Sequence, residues 1–393
     1  MSEAAGGEEA AAFDPVAVAR ALAPAVRARA DEIEAARRLP PDLAKQLGAE
    51  GLYRVFAPRA AGGLELAPEP VLRALEVLAE ADGAVAWCVF IAATSASALA
   101  QLTDDAAREV LANPAALVGG VFAPEGRAER CPGGFRLHGR WAFASGCENA
   151  DWVLAGARFF EHGEPLLGPS GQPGQHMLLL PARDVQFLDT WHAAGLCGTG
   201  SCDFVVHGAF VPERRVVGLL REEPQPGPLY RFPQFTLLAL GIGAVALGLA
   251  RAAIDELIAL AGGKTPQGAR RRLAERASVQ AGVAEAEARL RSARAFLYEA
   301  LAAGWAEASA GERVALAHRR DLRLATTHAV RASAEVVDAM YGLGGGSSVY
   351  RHSRLQRCFR DVHVVTQHMM VGPPTWELAG RLLLGLDADT SQL

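Results

Sequence analysis

Between Gly342 and His368 the chain reads GLGGGSSVYRHSRLQRCFRDVHVVTQH. Three consecutive glycines, Gly344, Gly345 and Gly346, allow a sharp turn and let backbone pass close to a ligand. Arg351, Arg354, Arg357 and Arg360 follow at three-residue steps, which on a helix brings them near one another and suits an anionic group. Asp361, His363 and His368 come next, within about two helical turns. An open backbone, cations and two imidazoles predict an active-site wall that binds an anion and moves a proton. The same pattern also describes a helix–loop–helix corner with a solvated basic face. A second candidate lies upstream, where Phe135, Leu137, Trp141 and Phe143 alternate with Arg136, His138 and Arg140. This is the two-residue period of a strand with one buried face. Ser145 continues the odd series, and a hydroxyl on an apolar face requires a partner.

Several tempting motifs fail in context. Gly241-Ile242-Gly243 followed by Ala246 matches GxGxxA, but no βαβ unit or acidic residue follows at the spacing of a dinucleotide site. The glycines at 344–346 fail the same test, since helices flank them. Ser145-Gly146 lacks the GxSxG elbow of a hydrolase. His363 and His368 are five apart with no carboxylate pair, so no metal site is expected.

The elements that must position these residues fall into three blocks. Residues 13–118 read as helices, with Val18, Leu22, Val26, Ala30 and Ile33 along one stripe. Residues 119–222 read as short strands, predicted at 135–145, 152–158, 176–180, 185–188 and 204–211. Residues 229–386, after a linker at 223–228, read as a helical bundle, with stripes at Leu290, Leu297, Leu301 and Trp305 and at Val330, Ala334, Val337 and Tyr341. Residues 1–12 are expected to be a disordered tail without the apolar core of a secretion signal. The uncharged run 232–250 continues into Arg251, Asp255 and Glu256, which favours a buried bundle helix over a span of about 20 apolar residues. Six cysteines without CxxC fit a reducing cytoplasm. A net charge of −5 without a dense basic block argues against a nucleic-acid partner.

The order and length of these blocks, with LPPDLAKQLGAEGLYRVFAP, GRWAFASG at 139–146, GTGSCDF at 198–204 and the glycine–arginine–histidine stretch, resemble the acyl-CoA dehydrogenase superfamily. GRWAFASG and LQRCFRD…QH resemble its two-component flavin-dependent monooxygenases. The resemblance implies an α+β fold, with an N-terminal helical domain, a central small β-barrel or sandwich and a C-terminal four-helix bundle. It implies a homotetramer that receives reduced FMN or FAD from a separate reductase. With O2 as co-substrate, it hydroxylates a small aromatic or indole-like molecule through a flavin C4a-hydroperoxide. It assigns His368 as acid/base and Ser145 as a flavin hydrogen-bond partner. Trp141 and Phe143 would line the flavin face, and Gly344, Gly345 and Arg351 would meet its phosphate or adenine end, with His363 in reserve. The two positions at which dehydrogenases carry their glutamate fall at Met369 and near Leu238, neither of which can take a proton. The branch's second histidine, on the helix after Trp87, is also missing, and Thr94 or Ser95 stands in that region. The rival readings are a dehydrogenase with an unusual base and a non-catalytic flavin-binding scaffold.

Overall fold

The computed structural model describes residues 13–167, 171, 174–221 and 225–393. The expected tail and the start of the 223–228 linker lie outside them. Six helices come first: α1 Pro15–Ala28, α2 Ala30–Ala36, α3 Pro41–Ala49, α4 Pro68–Ala81, α5 Gly83–Ser97 and α6 Asp104–Leu111. Asp14 caps α1 by accepting from the Val16 and Ala17 amides at 2.9 and 3.1 Å, and Asp82 caps α5 through Ala84 and Val85 at 2.9 and 3.0 Å. Such caps satisfy amides that have no partner inside the helix. Every α5 residue is buried except the partly exposed Ile91. A helix apolar on all sides belongs in the middle of a fold.

Seven strands follow: β1 Val118–Cys131, β2 Gly134–Ala144, β3 Trp152–Glu161, β4 Glu164–Pro165, β5 Gln175–Pro181, β6 Gln186–Leu188 and β7 Cys202–Pro212. They form one sheet in the order β4-β3-β1-β2-β7-β6, with β5 also on β3. Trp141, Phe135, Phe159 and Phe204 fill its core. The long first strand has no counterpart in the sequence reading, because Gly119, Gly120, Pro124 and Gly126 look like turn signals. The pairing of β1 with β3 shifts register between Val121 and Gly126, which accommodates those residues as a bulge.

The C-terminal part comprises α7 Pro228–Arg231, α8 Gln234–Gly263, α9 Ala277–Ser309, α10 Leu316–Gly344, α11 Arg354–Val365 and α12 Pro374–Leu383. The α8 helix packs on α4, α5 and α10. A Cβ at Gly241 would sit 2.7 Å from the Phe90 ring, and one at Gly248 would sit 2.4 Å from the Glu76 carbonyl oxygen. Those glycines bring helices together, which explains the GxGxxA pattern without a nucleotide. The 83–101 and 234–263 segments are long and apolar enough to cross a membrane, but 94% of each one's most apolar window is buried in the fold.

Candidate active site

Ser145 follows β2, just past a register irregularity. The β2–β7 ladder shifts between Trp141 and Ala144, so the alternation slips there by one residue. Phe143 takes φ 65° and turns outward, 72% exposed, while Ala144 is buried in its place. Ser145 beyond it is buried, and its hydroxyl joins a chain of polar groups. Trp87 Nε1–H donates to Ser145 Oγ at 3.0 Å. Ser145 and Ser201 Oγ atoms lie 2.7 Å apart, as do those of Ser201 and Thr199. Thr199 donates to the Leu196 carbonyl at 2.8 Å. A hydroxyl has one hydrogen, so this last bond fixes the polarity of the whole chain. Thr199 must accept from Ser201, and Ser201 must accept from Ser145. Ser145 therefore donates to Ser201 and accepts from Trp87. On Ser145 this leaves one acceptor lone pair open.

His368 packs its ring against Trp87, with centroids 5.8 Å apart. It begins the short 3-10 turn Met369–Val371, and its Nδ1 accepts from the Met370 amide at 3.2 Å. Accepting at Nδ1 assigns the neutral ring's hydrogen to Nε2. Burial, reinforced by the positive charge of Arg323, pulls its pKa down to about 4. At neutral pH the ring is uncharged and offers an N–H. Arg323 itself is buried on α10, pulled down to about 10 by desolvation, with Met370 Sδ at 3.9 Å from Nη1 and the Gln392 carbonyl as its oxygen acceptor.

A serine–histidine pair joined by a tryptophan on an apolar central helix, with helices before and after one sheet, has known relatives. Residues 12–116 match the model of the acyl-CoA dehydrogenase N-terminal domain, and residues 240–373 match that of its C-terminal domain. The chain is 35% identical to indole-3-acetate monooxygenase of Pseudomonas putida, over 91% of this chain and 90% of that one. It is 31% identical to the oxygenase component of an FADH(2)-dependent resorcinol hydroxylase of Rhizobium sp., over 92% and 91%. Its fold superposes on XiaF from Streptomyces sp., solved with FADH2 and glycerol, with a TM-score of 0.88 and 26% identity over 96% and 97% of the two chains. The chain belongs to the acyl-CoA dehydrogenase family. Within that family its relatives are oxygenase components of two-component flavin-dependent monooxygenases.

The family's flavin can be tested against these residues. Phe143 is exposed, with its ring edge-on to Trp191 at 6.3 Å. Beside it Ser145 keeps one acceptor lone pair open. An exposed aromatic surface next to a lone acceptor fits a flat heteroaromatic that carries a ring N–H, as reduced flavin does at N5. The positions expected for a dehydrogenase glutamate are Met369, 68% exposed, and Leu238, buried. The flanking segments 234–254 and 366–376 hold no Asp or Glu, and neither does α5.

Other expected residues lie elsewhere. Trp141 does not line a flavin face: it is buried inside the sheet, stacked on Phe204 at 4.7 Å, and donates to the Gly156 carbonyl at 2.8 Å. The two-residue period holds as far as Trp141, and the register shift ends it. Within one chain, the last two members of the arginine row are taken up by carboxylates. Arg357 pairs with Asp31 and Glu34, and Arg360 pairs with Glu34 at 2.7 Å, clamping α11 to α2. His363 meets Asp338 at 2.9 Å on the outside of the bundle, away from His368. Gly344 and Gly345 end α10, 21 residues from Arg323, about 30 Å along the helix at about 1.5 Å per residue, and Arg351 lies just beyond. One chain does not bring them to Ser145 and His368.

Trp87, Thr199, Ser201 and Arg323 escaped the sequence reading as site residues. Thr199 and Ser201 sit in the quoted GTGSCDF. Arg323 lies seven residues before Val330 on α10's buried stripe, and a cation on an apolar stripe is a legible anomaly.

Proposed function

We propose that this protein is the oxygenase component of a two-component flavin-dependent monooxygenase that hydroxylates a small aromatic or indole-like substrate. The observation that carries this reading is the pairing of a neutral, N–H-bearing His368 with Ser145's open acceptor, in walls that hold no carboxylate able to take an α-proton. Reduced FMN or FAD, supplied by a separate reductase, would provide with O2 the electrophilic oxygen atom. Phe143 would offer the flavin a face, and Ser145 would accept from its N5–H. The Ser201–Thr199 chain keeps that lone pair aimed by holding Ser145's own hydrogen. His368 Nε2–H would donate to an oxygen of the reactants. With Nδ1 occupied by the Met370 amide, the donor role is favoured over the base role. The apolar walls built by α5 and α8 exclude water, which protects a reactive oxygen species from hydrolysis.

Gly344, Gly345 and Arg351 would serve the phosphate or adenine end of a flavin bound mainly by another copy of the chain. That division of labour supports the homotetramer. The burial of both apolar helices supports an enzyme outside the membrane, and six cysteines without CxxC suit the cytoplasm. Mixing the protein with oxidised flavin and a panel of acyl-CoAs tests the reaction class. The flavin absorbance should persist, whereas bleaching without a reductant would establish a dehydrogenase.

A further inference from the structure

A cavity of about 600 Å³ opens where the C-terminal end of α5 meets the first turns of α8 and α10. Three arginines line it, Arg231, Arg313 and Arg319, and no aspartate or glutamate among the described residues does. None of the three is ion-paired among the described residues. Two carboxylates reach residues of the wall, Asp104, whose Oδ1 accepts from Gln225 at 3.3 Å, and Glu65, whose Oε1 stands beside Gly227 while its Oε2 accepts from the Arg59 amide at 3.0 Å, and others on the flanking elements are engaged by cations. Glu307 holds His318 at 2.9 Å, Asp321 holds Arg320 at 2.8 Å, and Asp104 holds Arg221 at 2.6 Å. Arg231 and Arg313 are exposed, whereas Arg319 is half-buried. The Nε of Arg319 and the side-chain nitrogen of Gln234 are buried without a partner among the described residues. Both of these unmet groups are donors. Phe232 and Leu237 add apolar wall. A cavity with cations and orphan donors on one side and hydrocarbon on the other is complementary to an amphiphilic anion.

We infer that this cavity recognises the carboxylate of an aromatic-acid substrate, with Arg319 as its anchor and Arg231 and Arg313 gathering the anion at the mouth. A planar guanidinium with free N–H groups suits a carboxylate, which it can hold through two parallel bonds. The position fits delivery to the reacting centre. Arg323 is one helical turn from Arg319 on the same face of α10, and it touches Met370 beside His368. On the other wall, Trp87 and Ser97 belong to the same helix, ten residues or about 15 Å apart. The wall of the cavity is thus linked to the histidine through α10, Arg323 and Met370. This inference rests on the oxygenase reading and narrows its substrate to acids.

The test compares indole-3-acetate with the uncharged indole-3-acetamide, using the full chain with reduced flavin and its reductase, and separately by calorimetric binding. The wild type should prefer the acid. Arg319→Gln should reduce the acid-over-amide preference about 10- to 100-fold, the range expected for one charge-assisted contact, while Arg319→Lys retains part of it. Arg231→Gln should have a smaller effect that fades as salt is raised. A purely structural role for Arg319 would weaken acid and amide together. Equal affinity for the two ligands, binding of neither, or displacement of the acid by coenzyme A at lower concentration than the acid itself requires would overturn the inference. If the binding preference stands but reduced flavin yields only peroxide with both compounds, the oxygenase reading fails instead.

Discussion

Replacing Ser201 with alanine should damage the reaction about as much as replacing Ser145, although Ser201 lies behind it. Ser145 gives its hydrogen to Ser201 across 2.7 Å and takes one from Trp87 across 3.0 Å. Without Ser201 Oγ, the Ser145 hydrogen loses its acceptor and turns into the one direction still open. A donor then stands where a reduced flavin N5–H needs an acceptor. Losing a hydrogen bond and facing two donors at a buried site costs about 1–3 kcal/mol, or roughly a 5- to 150-fold shift at about 1.4 kcal/mol per factor of ten. Ser145→Ala removes the acceptor and orphans the buried Trp87 Nε1–H, which costs about 1–3 kcal/mol, the same range. The assay is the fraction of reduced flavin whose oxidation appears as hydrogen peroxide rather than product. Thermal unfolding runs in parallel to exclude collapse of the sheet. Both variants should leak peroxide, with Ser201→Ala leaking about as much. Wild-type coupling in Ser201→Ala beside a leaking Ser145→Ala would refute the fixed polarity of the chain.

Three further outcomes follow from the same geometry. His368→Ala should lower turnover far more than flavin affinity, and equal losses would remove the ring from the chemistry. Because the native pKa of His368 is drawn down to about 4 from an ordinary value near 6.5, its contribution to stability is complete above the ordinary value. It is lost as pH falls toward 4, by at most about 3 kcal/mol. Turnover should therefore show no acid limb near pH 6.5, and Arg323→Gln should move the limb upward, as a pH–rate profile would reveal. Asp361 behaves oppositely: burial and the neighbouring Asp82 push it up to about 7, despite the Leu196 amide at 2.6 Å. Stability tied to its proton is complete below about pH 4 and lost as pH rises to 7, so Asp361→Asn should flatten denaturant midpoints between about pH 4 and 7. An unchanged slope would mean the carboxyl is already ionised.

The parts of this molecule that were legible from sequence are those governed by periodicity. The stripes on α1, α9 and α10 and the five short strands appear in the structure because burial repeats at fixed intervals along them. The first strand was hidden by glycines and a proline that a bulge absorbs. Trp141 was misplaced because one register shift inverts which residues face inward, and alternation carries no warning of it. The arginine row looked like an anion site because the sequence does not show Asp31 and Glu34 arriving from more than 300 positions away. The hydroxyl chain joins residues 87, 145, 199 and 201, a set that only the folded chain assembles.

The central claim is that oxygen is inserted rather than hydrogen removed. Turnover of an aromatic acid with reduced flavin under isotopically labelled dioxygen, read by mass spectrometry of the product, tests it most directly. One labelled oxygen atom should appear in each product molecule. Product lacking the label, or a desaturated product formed with oxidised flavin alone, would contradict the account.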